Sequence, residues 1–150
     1  MRLTSYSDYA LRMLMYLAVK QDRLATIAEI AASYDISENH LMKVAHQLGV
    51  GGYVETVRGR GGGLRLAKPM EDILLSDVVR YTEPDMAIAS CFEPLDVPCA
   101  IGSCCILKGA LAKARDAFME VLKGYSLADL VRPHARLGGL LGISLGPSPH

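Results

Sequence analysis

All four cysteines of the chain lie within one short stretch, residues 91–105. Pro94, Pro98 and Gly102 in the same stretch predict a loop rather than a helix or a strand. A loop can turn several thiolates toward one point, and thiolates are the ligands that zinc and iron–sulfur clusters prefer. The clustering therefore indicates a metal or cluster site, while a disulfide pair or unligated thiols remain open as alternatives.

The composition limits the class of protein. A chain of 150 residues with 51% hydrophobic residues can form one domain, or a small domain with an attached helix. No uncharged apolar run approaches the roughly 18 residues of a membrane span. Arg12 interrupts the apolar N-terminus, which shows no convincing signal-peptide cleavage site. We therefore expect a cytoplasmic protein without a membrane partner, in a compartment whose reduced thiols weaken the disulfide alternative.

The charges are balanced overall but unevenly distributed. The chain holds 16 Lys and Arg against 16 Asp and Glu, so its net charge does not predict a polyanion partner. Residues 1–70 contain nine cations against six anions, whereas residues 71–150 contain seven against ten. The basic first half is therefore the better candidate for binding nucleic acid.

The first 50 residues carry the pattern of three helices. A capping box at residues 5–8 predicts a first helix that ends near Lys20, with Asp8 as the capping carboxylate. A second capping box, at residues 26–29, opens a short helix, and Ser37 caps a third. Two short helices over about residues 28–51 match a helix-turn-helix.

The outer face of the third helix is polar. Asn, Gln and Lys side chains suit base edges or phosphates, although an ordinary solvated face has the same composition. The candidate DNA-contacting residues at this helix are Ser37, Asn39, His40 and Lys43.

A β-hairpin is predicted directly after the helix-turn-helix, at residues 53–67. Its glycine-rich turn carries Arg58 and Arg60, and the glycines let the backbone approach a minor groove or phosphates closely. A hairpin in this position is the wing of a winged helix. The combination favours binding to double-stranded DNA.

A long helix is predicted at residues 105–123, after a fourth short helix and the cysteine loop. Its apolar residues recur in steps of four and three, and they are Leu107, Leu111, Ala114, Phe118 and Val121. This seam predicts a homodimer, which suits a palindromic operator. The glycines and prolines of residues 132–150 predict a flexible tail. The expected fold is mainly α with a small β-hairpin, over residues 1–131.

The order of winged helix, cysteine loop and dimer helix resembles the NsrR/IscR family of iron–sulfur transcription regulators, most closely its NsrR-like members. The resemblance covers roughly residues 1–131 and rests on several segments together. These are Leu3-Thr-Ser-Tyr-Ser-Asp-Tyr-Ala-Leu-Arg12, Ser37-Glu-Asn-His-Leu-Met-Lys43, the wing from Gly52 to Gly63, Asp77-Val-Val-Arg80 and Tyr125-Ser-Leu-Ala-Asp-Leu130.

The resemblance implies a ligand set. NsrR-like proteins hold their cluster with three cysteines, which correspond here to Cys91, Cys99 and Cys105. Cys104 is additional, so the resemblance leaves open which of the adjacent pair is the ligand. Lys108 stands where IscR-like proteins have a histidine ligand, which argues against an IscR-type site. An aspartate of the first helix, reaching from the other subunit, can be the fourth ligand, and Asp8 occupies that position.

The function that the resemblance implies is that of a repressor that senses nitric oxide. The expected cofactor is an iron–sulfur cluster, [4Fe–4S] rather than [2Fe–2S], and loss of the cluster releases the operator. The alternatives are a regulator of iron status or cluster assembly on the same fold, and a zinc-stabilised DNA-binding protein. A redox enzyme that uses Cys104 and Cys105 is a further alternative, but no base or cofactor motif accompanies this pair.

Overall fold

The computed structural model describes residues 1–146 and confirms a mainly helical chain with a small hairpin. Two short 3-10 turns, at Met70–Asp72 and Gly102–Cys104, accompany the helices and strands. The helices and strands are α1 (Ser5–Val19), α2 (Ile27–Tyr34), α3 (Glu38–Val50), β1 (Val54–Val57), β2 (Gly63–Leu66), α4 (Leu75–Thr82), α5 (Ile106–Lys123), α6 (Leu127–Leu130) and α7 (His134–Leu140).

The central element of the core is α1. Ala10, Met13 and Leu14 are fully buried, and Leu17 nearly so, because α3, α4, α6, α7 and β2 all pack against this helix. A helix that is apolar on most of its surface has to be covered on most sides, as this arrangement provides. None of the helices of residues 1–146 has the length and apolar character needed to cross a membrane.

The hairpin is attached to the segment that precedes α2. Strands β1 and β2 pair antiparallel, from Val54 opposite Leu66 to Val57 opposite Gly63. The backbone N–H groups of Ala25 and Leu64 each donate to the other's carbonyl, at 3.0 and 2.7 Å. A Cβ on Gly63 would lie 2.6 Å from the Ala25 carbonyl oxygen, so this close attachment requires glycine.

The start of α1 differs from the predicted capping box. The N-cap is Thr4, whose hydroxyl oxygen accepts from the Ser7 N–H at 3.2 Å, and Asp8 lies one position beyond the capping turn. The predicted capping role of Asp8 is therefore wrong. The box at Thr26 and Glu29 is confirmed, whereas Ser37 occupies the N-cap of α3 without a side-chain hydrogen bond.

The C-terminal segment also differs from the prediction of a flexible tail. Residues 134–140 form α7, and Ile143 is only 5% exposed within the core. His134 Nε2 lies 2.9 Å from the Val19 carbonyl oxygen, and the Ser33 hydroxyl donates to the Leu141 carbonyl at 2.7 Å. The leucines of this segment cover the end of α1, so they fold despite the surrounding glycines. Residues 147–150 of the predicted tail lie outside the described residues.

We expect Ile143→Ala to lower the free energy of unfolding by about 2–4 kcal/mol, because it deletes buried methyl and methylene groups from the core. The matched control is Leu140→Ala in α7, whose side chain is 75% exposed and whose loss should cost little. Denaturant unfolding measures both. Equal midpoints for Ile143→Ala and the wild-type chain would mean that the segment is a flexible tail after all.

Candidate DNA interface and cysteine loop

The helix-turn-helix consists of α2 and α3. Asp35 adopts the left-handed conformation (φ 53°) in the turn, and the Ile36 N–H closes it on the Ala31 carbonyl. The inner face of α3 is buried in the core. Its outer face leaves the four candidate side chains exposed, namely Ser37, Asn39, His40 and Lys43. They remain predictions as DNA contacts, on a surface that is open to a groove.

The wing tip presents two arginines. Arg58 and Arg60 are exposed, and neither forms an ion pair with any residue in the range 1–146. On the strands themselves, Arg65 is paired with Glu55 across the hairpin at 2.9 Å. That carboxylate accepts a charge-assisted hydrogen bond, which lowers the pKa of Glu55. The uncompensated positive charge of the wing is therefore at its tip.

We expect Arg60→Ala to weaken DNA binding by about 1–3 kcal/mol if the side chain enters a groove. The probe is a duplex selected by the protein from a random library, and the affinity is measured at several salt concentrations. The control is the double variant Glu55→Gln with Arg65→Gln, which removes a wing guanidinium without changing the net charge. If Arg60→Ala binds the selected duplex as tightly as this control, Arg60 is not part of the interface.

The predicted cysteine loop is present between α4 and α5. All four thiols are free, with Cys91 and Cys105 half-buried and Cys99 and Cys104 exposed. Buried Phe92 anchors the start of the loop, because its ring lies 5.4 Å from the Arg115 guanidinium carbon of α5. The loop is thus fixed near its first cysteine.

The last cysteine is fixed as well. Cys105 is the N-cap of α5, and its sulfur accepts from the Lys108 N–H at 3.3 Å. Cys104 belongs to the 3-10 turn, and its sulfur lies 3.7 Å from the Ile101 carbonyl oxygen. The adjacent cysteines therefore differ, since Cys105 belongs to the helix start and Cys104 is an exposed group of the turn.

The donor set fits an iron–sulfur cluster by its chemistry. Four free thiols lie on a single loop, and cysteine thiolates are the ligands that hold Fe–S clusters. Within residues 1–146, no group of three or more His, Cys, Asp or Glu side chains lies close enough together to hold a metal ion. Because metal binding and the ordering of such loops are coupled, gathering the thiols requires closure of the loop. The ligand assignment stays a prediction.

Asp8 lies on α1 and is half-exposed. Its two carboxylate oxygens both face Arg12, with N–O distances of 3.1 Å for Nε to Oδ1 and 3.1 Å for Nη2 to Oδ2. The Arg12 guanidinium in turn lies 5.7 Å from the ring centre of Tyr34 at the end of α2. On the same helix, the Tyr9 ring stacks on His40 of α3 at 6.2 Å. The first two turns of α1 therefore contact both helices of the helix-turn-helix.

A polar junction near the loop was not foreseen from the sequence. Glu83, the residue that ends α4, accepts hydrogen bonds from the Thr4 N–H at 2.8 Å and the Thr4 hydroxyl at 3.0 Å. The buried Ser7 hydroxyl also donates to Glu83, and the Thr82 hydroxyl donates to Ser7 at 2.7 Å. These partners are 75 to 79 residues apart in sequence, so no local pattern could reveal them.

The seam of α5 is not covered. No side chain of this helix is buried, and Leu107 and Val121 are 64% and 63% exposed. The helix packs on α4 through other residues, and Leu111 of the seam is partly buried. An apolar row of this length on a long helix is typical of a subunit interface.

The fold and the two surfaces define a winged-helix DNA-binding regulator. The sequence matches the Rrf2 family, described as an iron-dependent transcriptional regulator, over residues 3–133. The chain therefore belongs to the Rrf2 family of transcriptional regulators. Regulators of this family are not enzymes, and the alternative of a redox enzyme built on Cys104 and Cys105 is set aside.

Similar proteins include regulators named NsrR. The chain is 50% identical to the HTH-type transcriptional regulator NsrR of Bacillus subtilis over 88% of its length and 91% of that protein. It is 46% identical to the NsrR of Bacillus licheniformis over 94% and 99% of the two chains. The protein aau3 of Rhizobium meliloti is 48% identical, over 95% of this chain and 93% of its own.

Solved structures share the fold. A regulator from Listeria innocua superposes with a TM-score of 0.71 at 26% identity, over 88% of this chain and 87% of its own. The cysteine regulator CymR of B. subtilis gives 0.70 at 24% identity, over 87% and 95%. The T. potens IscR gives 0.73 at 22% identity, over 97% and 94%. These two less similar chains support the architecture alone.

Proposed function

We propose that this chain is a cytoplasmic, homodimeric repressor that senses nitric oxide through an iron–sulfur cluster, [4Fe–4S] rather than [2Fe–2S]. The observation that carries the proposal is the loop of four free thiols between the helix that ends beside α1 and the helix with the exposed seam. The high identity to proteins named NsrR supports the nitric-oxide signal.

The residues that would hold the cluster are Cys91, Cys99 and Cys105, together with Asp8 of the partner subunit. When bound, a cluster with three thiolates and one carboxylate supplies an iron with a weak oxygen ligand, at which nitric oxide can bind. Cys104 is not needed for this set, and its thiol is exposed beside the loop.

Asp8 links the cluster to the DNA-binding half of the protein. Its two oxygens are both engaged by Arg12 in the structure, so ligation and the bidentate ion pair compete for the same carboxylate. Arg12 lies over Tyr34 of the helix-turn-helix, and Tyr9 stacks on His40. If Asp8 held the cluster, its return to Arg12 would change the charge and packing where α1 meets α2 and α3.

The exposed seam of α5 supports the proposed dimer. Two copies that pair through this helix bury its exposed leucine, phenylalanine and valine side chains and place two α3 helices in one assembly. A two-fold dimer reads a palindromic operator, and the separation of the two helices sets the separation of the half-sites. A movement of either α3 helix changes this separation, and therefore changes the affinity of the dimer for the operator.

We expect Asp8→Asn to leave the melting temperature of the cluster-free protein within a few degrees of wild type, because Asp8 does not cap α1 and loses only an exposed ion pair. The visible spectrum of the loaded protein and its rate of reaction with nitric oxide should both change, because Asn is a neutral and poorer ligand.

The control for this variant is Asp116→Asn, which neutralises another exposed aspartate that is paired with an arginine, at 3.0 Å. Its spectrum and its rate of reaction with nitric oxide should match those of the wild type. If Asp8→Asn behaves in the same way, Asp8 is not a ligand, and Cys104 becomes the next candidate.

Anaerobic purification with a visible spectrum and with iron, sulfide and zinc analysis tests the proposed function. We expect a thiolate-to-iron charge-transfer spectrum and equal amounts of iron and acid-labile sulfide. Zinc in their place would instead make the chain a zinc-stabilised DNA-binding protein. A chain with neither metal would contradict both assignments.

A second candidate function is regulation by iron status on the same fold, which the iron-dependent character of the family favours. The two candidates differ in their signal. For a regulator of iron status, withdrawal of iron with a chelator would change the affinity for DNA, whereas nitric oxide would leave that affinity unchanged.

A further inference from the structure

Three consecutive residues at the end of α4 contact two other helices. Thr82 and Glu83 hold the first turn of α1, through Ser7 and Thr4. Ser7 and Thr82 are both buried, so the hydrogen bond between them is shielded from water. The first turn of α1 and the last turn of α4 are therefore expected to move together.

Tyr81, the residue before this pair, contacts the other end of the helix-turn-helix. Its hydroxyl donates to the Gln47 carbonyl oxygen at 2.7 Å, near the end of α3. Its ring lies 5.6 Å from the ring of Tyr53 and rests against Gly51, where an added Cβ would come within 2.6 Å of the ring. Gly51 thus leaves the space that Tyr81 occupies.

The recognition helix α3 is consequently held at both ends. Near its start, His40 stacks on Tyr9 of α1, and near its end the Gln47 carbonyl accepts from Tyr81 of α4. The position of Tyr81 depends on α4, and α4 is tied to the turn of α1 that precedes Asp8. After α4, residues 83–90 connect the helix to the cysteine loop. The contacts from α1 to α4 and from Tyr81 to α3 are hydrogen bonds, whereas the contact of Tyr9 with His40 is a ring stack.

We propose that Tyr81 is a positioning residue that transmits the state of the cysteine loop to the end of the recognition helix. The identity of the signal rests on the function proposed above, whereas the mechanical connection rests on the contacts of Thr82, Glu83 and Tyr81 alone. Movement of the first turn of α1 or of the loop shifts the last turn of α4, and Tyr81 carries that shift to α3. Such a shift would move α3 at two points, its contact with Tyr9 and its contact with Tyr81.

Tyr81→Phe tests the connection with little risk to folding, because it keeps the ring and removes only the hydroxyl that reaches Gln47. The measurement is the affinity for a library-selected duplex, made with cluster-loaded and with cluster-free protein. We expect the ratio of the two affinities to fall about fivefold or more toward one, with the iron content and visible spectrum unchanged. An equal loss in both forms would leave the ratio unchanged and overturn the proposal, since that is what a merely structural role predicts.

A second variant tests the same contact from the other side. Gly51 has an ordinary backbone conformation (φ −74°), which alanine can also adopt. The methyl group of Gly51→Ala would displace the outer end of the Tyr81 ring rather than the backbone. It should lower the affinity ratio as Tyr81→Phe does. The control is Tyr125→Phe, which removes a hydroxyl from a tyrosine that is 49% exposed, and it should keep the wild-type ratio. A lowered ratio in the control, or a wild-type ratio in Gly51→Ala, would contradict the proposal.

Hydrogen exchange of the cluster-free protein tests the connection without the signal. We expect Glu83→Ala to speed exchange of the Gly51 and Tyr53 amides about threefold or more, although Glu83 touches neither residue. Glu83→Gln keeps an acceptor oxygen and should exchange nearly as the wild type. Unchanged exchange in Glu83→Ala would overturn the connection. If the wild-type affinity does not depend on the cluster, the proposed function fails, and this exchange result still decides whether Tyr81 transmits movement.

Discussion

Replacement of Cys105 by alanine is expected to abolish cluster binding, with loss of the visible chromophore and of bound iron and sulfide. Cys105 begins α5, and its sulfur already accepts a hydrogen bond from the Lys108 N–H. Because Cys105 belongs to the start of α5, the helix fixes the direction from which this ligand approaches. Alanine at Cys91 or Cys99 is expected to have the same effect, because three thiolates are needed.

The control for this prediction is the adjacent residue. Cys104 has the same chemistry and lies one position away, but its exposed side chain belongs to the 3-10 turn rather than to α5. Cys104→Ala should therefore keep its full iron and sulfide content. Full iron in Cys105→Ala together with loss of iron in Cys104→Ala would reverse the ligand assignment.

Phe118→Asp is expected to convert the dimer to monomers at micromolar concentration and to lower DNA affinity about a hundredfold. The variant places a carboxylate in the middle of the α5 seam. A two-fold interface contains this residue once from each subunit, so pairing would have to remove two carboxylates from water. A monomer then binds one half-site without the effective concentration that a linked second half-site provides. Sedimentation and binding to the selected duplex measure the two effects.

The control for the seam is Lys113→Ala. This exposed residue lies on α5 but on a different face from Phe118, and the substitution changes the net charge by the same amount. It should remain dimeric and bind DNA with nearly wild-type affinity. If Phe118→Asp is also dimeric, the seam is not the interface between subunits.

Local signals predicted most of the helices and strands. The reciprocal bonds of Thr26 and Glu29 at the start of α2, and the glycine-rich turn between β1 and β2, depend on neighbours within a few residues. Heptad spacing likewise revealed the seam of α5, because side chains three and four residues apart share one face of a helix. The helix-turn-helix and the hairpin, which such local signals predict, contain the candidate DNA-contacting residues.

Contacts between distant residues could not be predicted in this way. Thr4 was missed as the cap of α1 because Ser5 and Asp8 show the more familiar spacing, and because its partner Glu83 is 79 residues away. The contact of Tyr81 with Gln47 likewise joins residues 34 apart. Glycine content suggested disorder after Pro133, but burial of Ile143 in the core outweighs that local tendency.

The central claim is that DNA affinity depends on an iron–sulfur cluster that responds to nitric oxide. The most direct measurement is the affinity of one anaerobically purified sample for its selected duplex, before and after titration with nitric oxide, with the visible spectrum recorded at each step. We expect the cluster absorption and the affinity to fall together. A loss of cluster absorption with unchanged affinity for DNA would contradict the claim.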